Sequence, residues 1–333
     1  GIRDKLVTGV QTCALPIYRD AMMAPVEDFI DLLARDHKHL RARDCEHTFS
    51  ESVTAFANSR GLRQSERRAG FGVGVGFVAK DGARSTSMNW SSVSSATPFA
   101  DFMRAGDIAR ALRSTEQSLD TRPVTETFVG DVVITPQCLA SLLWSYAGAL
   151  SGPALFAGTS PFKDSKGRKI ASAKFSLLNR PRWEAFVNGS GFDGFGVPTK
   201  DLGVIENGVL GDFLVDFFHA RKLGMAQTAG ASNFFVPAGD ETFADIIAGV
   251  KRGILFERFS GGSPNDNLDF SGIAKNSFMI ENGRITHALS ETMVAGNMRA
   301  LFSDIDAVSR EQVNFGGGAY PFVKAGGVTI SSK

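Results

Sequence analysis

The sequence predicts an α+β fold of two domains, in which antiparallel β-sheets built from hairpins carry packed helices. Three observations predict it. Asn207-Gly208 and Asn282-Gly283 each separate two β-prone runs. An Asn-Gly pair in that setting is the strongest short-range hairpin signal, because both turn positions need positive φ. Phe71, Val73, Val75 and Phe77 alternate with Gly70, Gly72, Gly74 and Gly76, the period of a strand with one apolar and one bare face. Finally, strands and helices do not alternate in the crossover pattern of a parallel sheet.

In chain order, residues 1–17 read GIRDKLVTGVQTCALPI, without the apolar core or cleavage site of a signal peptide. A common short-read sequencing adapter translates as VTGVQTCALPI, and the adapter bases before it give GIRD. Residues 1–17 are therefore expected to be a translated library adapter, outside fold reasoning, followed by a truncated N-terminal α+β domain over 18–120. Apolar residues at Val26, Phe29, Ile30, Leu32, Leu33 and Leu40 predict an amphipathic helix over 26–40. Strands follow over 52–58 and 71–77. The glycines of the second do not fit a dinucleotide fingerprint, since the third falls at the wrong offset and no helix follows; they predict close sheet packing. After the Asp81-Gly82 turn, 84–90 returns as an antiparallel strand. Thr97-Pro98 reads as a capped helix start, with the helix reaching Gln117 and 119–123 linking the domains.

The second domain, 121–333, is β-rich. A strand over 129–135 leads into a helix opened by Pro136 and carrying Leu139, Leu142, Leu143 and Tyr146. The Gly-, Ser- and Pro-rich stretch 151–168 is a long connection of the mobile or functional kind. A hairpin pairs 202–205 with 209–215, a short helix spans 217–223 and stops at Gly224, another covers 242–250, and a strand covers 254–259. The second hairpin pairs 277–280 with 284–289, and Met298, Leu301 and Phe302 suit one helical turn packed on the sheet.

Bulk properties exclude several functions. The 333 residues suggest two domains, and 43% hydrophobic with 21% charged residues is ordinary globular composition. A net charge of +1 gives no electrostatic footprint for nucleic acid. No run approaches the ~18 apolar residues of a membrane span. Three cysteines without paired spacing point to a reducing compartment, so the cytoplasm is expected.

Chemistry-bearing motifs are sparse. His37-x-His39 and Cys45-x-His47 are the one histidine–cysteine concentration. Residues two apart on a helix point to nearly opposite sides, and the spacing fits no common zinc module, so a solvated helix end is expected. His219 and His287 stand alone. Asn265–Asp269 lacks the glycine of a calcium loop, Phe270 standing in its place, and reads as a turn. No G-x-S-x-G elbow occurs, and Gly189-Ser190-Gly191 and Ser260-Gly261-Gly262 read as turns.

The run from SGIAKNSFMIENGRI through SETMVAGNMRALFSDID, with its Glu281-Asn282-Gly283 turn, Glu291, Gly296-Asn297 and the later Gly-Val-Thr-Ile, resembles the C-terminal domain of the TldD/PmbA family. That family was once called modulators of DNA gyrase and is now regarded as a metalloprotease pair. The resemblance extends back to about Ser52, where AFANSRGL is similar to a strand of the family's N-terminal domain. It implies that a catalytic member would carry a His-Glu-x-x-x-His zinc motif on the helix after the 129–135 strand. Here Trp144 and Ala149 stand at the histidine positions and Ser145 at the glutamate position. A further cysteine ligand has no counterpart in 314–321.

The resemblance thus implies the metal-free TldE/PmbA type of subunit: non-catalytic, without a cofactor of its own, and paired with a zinc-bearing TldD-like homologue around unfolded or short peptides, with neither nucleic acid nor membrane as partner. A peptide can add as a strand to a sheet edge, which makes Asn276, Phe278, Glu291 and Asn297 candidate contacts. Against that, Asn276 and Asn297 could simply fix turns. The alternative function is a stand-alone, homo-oligomeric binding or scaffold protein without protease activity.

Overall fold

The structure, a computed structural model, describes residues 21–228, 230, 232–261, 263–290 and 292–332. The stretch 1–17 and Glu291 lie outside them. The described residues form two units: one takes in the chain up to Val53 together with Arg67–Leu119, the other Thr54–Glu66 together with the chain from Asp120.

In the first unit, helix α1 (21–36) turns Phe29 and Leu33 into the core. It ends short of the expected Leu40, which instead opens strand β1 (Leu40–Ala57). The glycine-rich run lies in β2 (Arg63–Asp81), flanked by β1 and the short β3 (Arg84–Ser85); β4 (Asn89–Ser95) also pairs with β2. As the alternation requires, Phe71, Val73, Val75 and Phe77 are all buried. The bare face is covered by Trp90: a Cβ on Gly74 would lie 2.7 Å from its Cζ2, and one on Gly76 2.8 Å from its Cε3. The indole takes the place of side chains on that face.

The helix expected from Pro98 starts later. After a 3₁₀ turn at Phe102–Arg104, Gly106 adopts φ +54°, a break in the helical path, and α2 spans Ile108–Gln117. Asp107 precedes it, buried, accepting from Ser91 Oγ at 2.7 Å and Arg110 Nη2 at 2.6 Å.

The second unit runs β5 (Thr121–Pro123), β6 (Phe128–Ile134), α3 (Pro136–Gly148), α4 (Gly152–Ala157), β7 (Leu177–Asn179), β8 (Leu202–Glu206), β9 (Val209–Leu210), α5 (Phe217–Leu223), β10 (Phe234–Phe235), α6 (Phe243–Ala248), β11 (Arg252–Phe256), β12 (Arg258–Gly261), β13 (Asp269–Lys275), β14 (Phe278–Glu281), β15 (Arg284–Ser290), β16 (Thr292–Asn297), α7 (Met298–Ser303), β17 (Ile305–Asn314) and β18 (Ala319–Ser332). Among the described residues fourteen strands share one sheet, in the order β5-β15-β14-β11-β6-β18-β10-β7-β8-β9, with β12, β13, β16 and β17 branching from it. Pairing is mostly antiparallel, but β5–β15, β6–β11 and β10–β18 are parallel. Strand β18 meets β6, β10, β16 and β17 along its length.

Both Asn-Gly hairpins form, with positive φ at Asn207, Gly208, Asn282 and Gly283 as a primed turn needs. Helix α5 ends at left-handed Gly224 as expected, and α6 begins with a capping box of Thr242 and Asp245. Three expectations are corrected. The linker 119–123 contains β5, held by β15. The connection 151–168 contains α4, capped by left-handed Gly158. The strand over 254–259 is two strands, because the N–H of buried Glu257 leaves the ladder for Ser277 Oγ at 3.2 Å, so that β11 continues with β6 and β14 while β12 pairs with β13.

Candidate functional site

Helix α3 is set by its start. Thr135 stands at the N-cap with extended backbone and Pro136 follows in the first turn, where a missing N–H costs nothing. Thr135 Oγ1 lies 3.3 Å from both Phe256 O and Glu257 O, tying the helix start to the end of β11. One face of α3 is core: Leu139, Leu142, Leu143 and Tyr146 are buried. The Tyr146 ring stacks on Phe302 of α7 at 4.3 Å, and its hydroxyl donates to Ile170 O at 2.8 Å. Burial pushes its phenol pKa well up, so it stays neutral.

The opposite face carries Trp144 and Ser145, and Ala149 follows as the C-cap, partly buried against the core. Trp144 is half exposed, with its ring 5.0 Å from Phe234. Ser145 and Ala149 border a pocket of about 270 Å³ whose other walls come from Gly148, Ala154, Thr159 and the segment 263–268. Zinc does not fit at these positions, since an indole and a methyl group offer it no lone pair and a lone hydroxyl makes no tetrahedral site. Among the described residues, no group of three or more His, Cys, Asp or Glu side chains is placed to hold a metal ion.

The pocket wall after β12 is held by side-chain amides. Asn265 Oδ1 accepts from Asp269 N at 2.9 Å and its Nδ2 donates to Asp269 Oδ2 at 3.2 Å. Asn297 Nδ2 donates to Asp269 Oδ1 at 2.7 Å and to Asn267 O at 2.9 Å. Its Oδ1 accepts from Arg299 N and Ala300 N, capping α7. The hydrogen bonds from Asn297 and Asn265 hold the Asp269 carboxyl below the usual carboxylate range. Between them, buried Leu268 sits at φ +69°, a conformation costing an L-residue about 1–2 kcal/mol. Bonds from Leu268 N to Asn265 O at 2.8 Å and from Met298 N to Leu268 O at 2.9 Å hold it there.

Of the candidate contacts among the described residues, only Asn297 reaches this loop. Asn276 lies in the turn between β13 and β14 at φ +53°, buried, with its Nδ2 unpartnered among the described residues. Phe278 is buried with Val133, Ile246 and Leu255, and Glu291 is outside the described residues. The histidines make structural contacts, and Cys45 and His47 lie in strand β1 and not at the expected solvated helix end, with the His47 ring 3.0 Å from Met22 O. The His37 ring meets Glu116 Oε2 at 2.6 Å and the His39 ring lies 3.3 Å from Lys80 O. His219 sits 2.8 Å from Asp216 at the start of α5, and His287 3.0 Å from Thr286 Oγ1. The sequence reading missed Thr159, Ser263 and Asp266, which only tertiary packing brings to α3.

Residues 127–332 match the family model described as the PmbA/TldA metallopeptidase C-terminal domain. This chain belongs to the PmbA/TldD family. The family's central-domain model covers 23–119, the stretch read from the sequence as an N-terminal domain. The chain is 28% identical over 201 residues to the metalloprotease PmbA homolog of Haemophilus influenzae, covering 59% of this chain but only 43% of that protein. It is 23% identical over 348 residues to the metalloprotease PmbA of Escherichia coli, covering 98% of this chain and 76% of that one. The crystal structure of TldE from Thermococcus kodakarensis superposes with a TM-score of 0.82 at 22% identity, over 94% of this chain and 74% of that one; the PmbA/TldD fold is common to both. No helix among the described residues is long and apolar enough to cross a membrane.

Proposed function

We propose that this PmbA/TldD chain is a non-catalytic subunit of a TldD/TldE-type metalloprotease of the cytoplasm, which joins a zinc-bearing homologue to bind and enclose unfolded or short peptides. The supporting observation is α3. Its inner face is packed as a structural helix, while Trp144, Ser145 and Ala149 offer no zinc ligand, and Ser145 and Ala149 open on a pocket instead. Peptide cleavage then belongs to the partner, and this chain contributes binding surface.

The surface best suited to that role is β12. It pairs with β13 on one side and with no other strand among the described residues, and it packs beside α3. An extended peptide added to its open edge would gain backbone hydrogen bonds that do not depend on sequence. Such a peptide would pass the pocket and its polar residues Thr159, Ser263 and Asp266. Asn297 acts at one remove, by fixing the loop that forms the pocket wall.

The test compares this chain, the His-Glu-x-x-x-His homologue of its genome, and the two together. Zinc should appear only in samples that contain the homologue, and cleavage of an unfolded protein such as reduced casein should be fastest with both. One zinc per molecule together with cleavage by this chain alone would rule the reading out.

A further inference from the structure

The pocket beside α3 is bordered by polar side chains that the fold itself does not use. Ser145, Thr159, Ser263 and Asp266 line it, and among the described residues none of these side chains has a hydrogen-bond or ion-pair partner. Asn265, on the same wall, is by contrast engaged with Asp269 through both its oxygen and its nitrogen. An exposed Asp on a turn is ordinary. Here it shares a cavity of about 270 Å³ with three unused hydroxyls, on a wall that the bonds of Asn265 and Asn297 to Asp269 set before any ligand arrives.

The charge at the pocket is of one sign. Among the described residues, Asp266 is the one ionisable side chain in the lining. Ser145 and Gly148 belong to the last turn of α3 and Ala149 is its C-cap, so the negative end of that helix dipole lies at the wall. Neither α3 nor α4, whose C-cap Gly158 precedes Thr159, carries a basic residue in its last turn to answer that charge. The pocket is therefore built to attract a cation.

We propose that it binds the lysine side chain of an extended peptide, with the ammonium on Asp266 and the hydroxyls and the alkyl stem along Ala154, Pro264 and Leu268. The assignment rests on the peptide-binding role proposed above and names the peptide that role prefers. The segment 263–268 follows β12 in the chain, so a strand added to the β12 edge carries its side chains past the pocket. An ammonium offers only donors, which suits a carboxylate set among hydroxyl oxygens, and its stem takes apolar cover while the charge stays near water. A metal ion suits the lining less well, since calcium takes about six to eight oxygens with several carboxylates among them, and this lining holds a single carboxylate.

The experiment is isothermal titration calorimetry of the full chain, alone and together with its His-Glu-x-x-x-His homologue. It compares acetyl-Ala-Ala-Lys-Ala-Ala-amide with the same peptide carrying norleucine, which keeps the stem and lacks the ammonium. The lysine peptide should bind at least ~10-fold tighter at about 0.05 M salt, as a charge-assisted hydrogen bond allows, and the margin should shrink at about 0.5 M. Asp266→Asn should bring the lysine peptide to the norleucine level and leave the norleucine peptide unchanged. Because the Asp266 side chain is exposed and makes no bond among the described residues, the variant should keep the wild-type thermal unfolding midpoint.

Equal binding of the two peptides overturns the lysine site and leaves peptide binding standing. A lysine preference that survives Asp266→Asn overturns the site as well. Binding of free n-butylamine as tight as that of the lysine peptide, and lost in Asp266→Asn, overturns the peptide as the source of the ammonium. Binding of neither peptide, with or without the homologue, overturns both the site and the peptide-binding role.

Discussion

The two faces of α3 differ sharply. On the inner face every apolar position is buried, and Tyr146 is fixed by a ring stack and a hydrogen bond. On the outer side, less than one turn away, Trp144 is half exposed and Ser145 borders a pocket. The position of the helix is thus maintained by its inner face and its tied start. A helix whose inner face supplies its stability can change its outer side chains at little cost to the fold.

Substitutions should therefore divide by face. Tyr146→Ala removes a fully buried ring, empties the space beside Phe302 and strands the carbonyl of Ile170; destabilisation of about 3–5 kcal/mol is expected by urea unfolding. A loss below ~1 kcal/mol would mean that the inner face is not what holds the helix.

An intermediate effect should come from Asn297, which supports the inner face from a distance by capping the helix that carries Phe302. Asn297→Ala should cost about 0.5–2 kcal/mol. The hydrogen bonds from Asn297 and Asn265 lower the Asp269 pKa in the folded state. Their stabilisation is therefore complete above the unfolded carboxylate value of about 3.9 and lost as pH falls through the lower folded value. The stability gap between wild type and Asn297→Ala should then narrow below about pH 4, and a gap constant down to acid pH would dissociate Asn297 from Asp269.

The smallest effect is expected on the outer face. Ser145→Ala should change stability by less than ~0.5 kcal/mol, and a larger loss would show that the pocket side also bears on the fold.

The sequence was most informative where structure is local. Asn207-Gly208 and Asn282-Gly283 set their hairpins because the turn needs two positive-φ residues in a row, and Gly224 stopped α5 for the same reason. The alternating glycines of β2 were legible as a bare face, though not that Trp90 would cover it. Local signals misled at Thr97-Pro98, where a good cap and a first-turn proline were overridden by the break at Gly106 and the buried bonds of Asp107. The parallel pairings of β5 with β15 and β6 with β11 left no local trace, since their partners are more than a hundred residues apart. The site divides in the same way. That Leu139, Leu142, Leu143 and Tyr146 share one face of α3 could be read from their spacing. The pocket wall could not, because 263–268 reaches α3 only through the folded sheet.

Strand β18 fixes the order in which events can happen. Ile134 pairs with Val323 and Phe128 with Ile330, so β6 must wait for on the order of two hundred residues of synthesis before its neighbour leaves the ribosome, at roughly 5–20 residues per second. Until then the edges of β6 and β16 that β18 will cover are bare and adhesive. Sheets closed by such distant partners fold slowly, so nascent chains of this protein pass through a stage in which these edges stay uncovered.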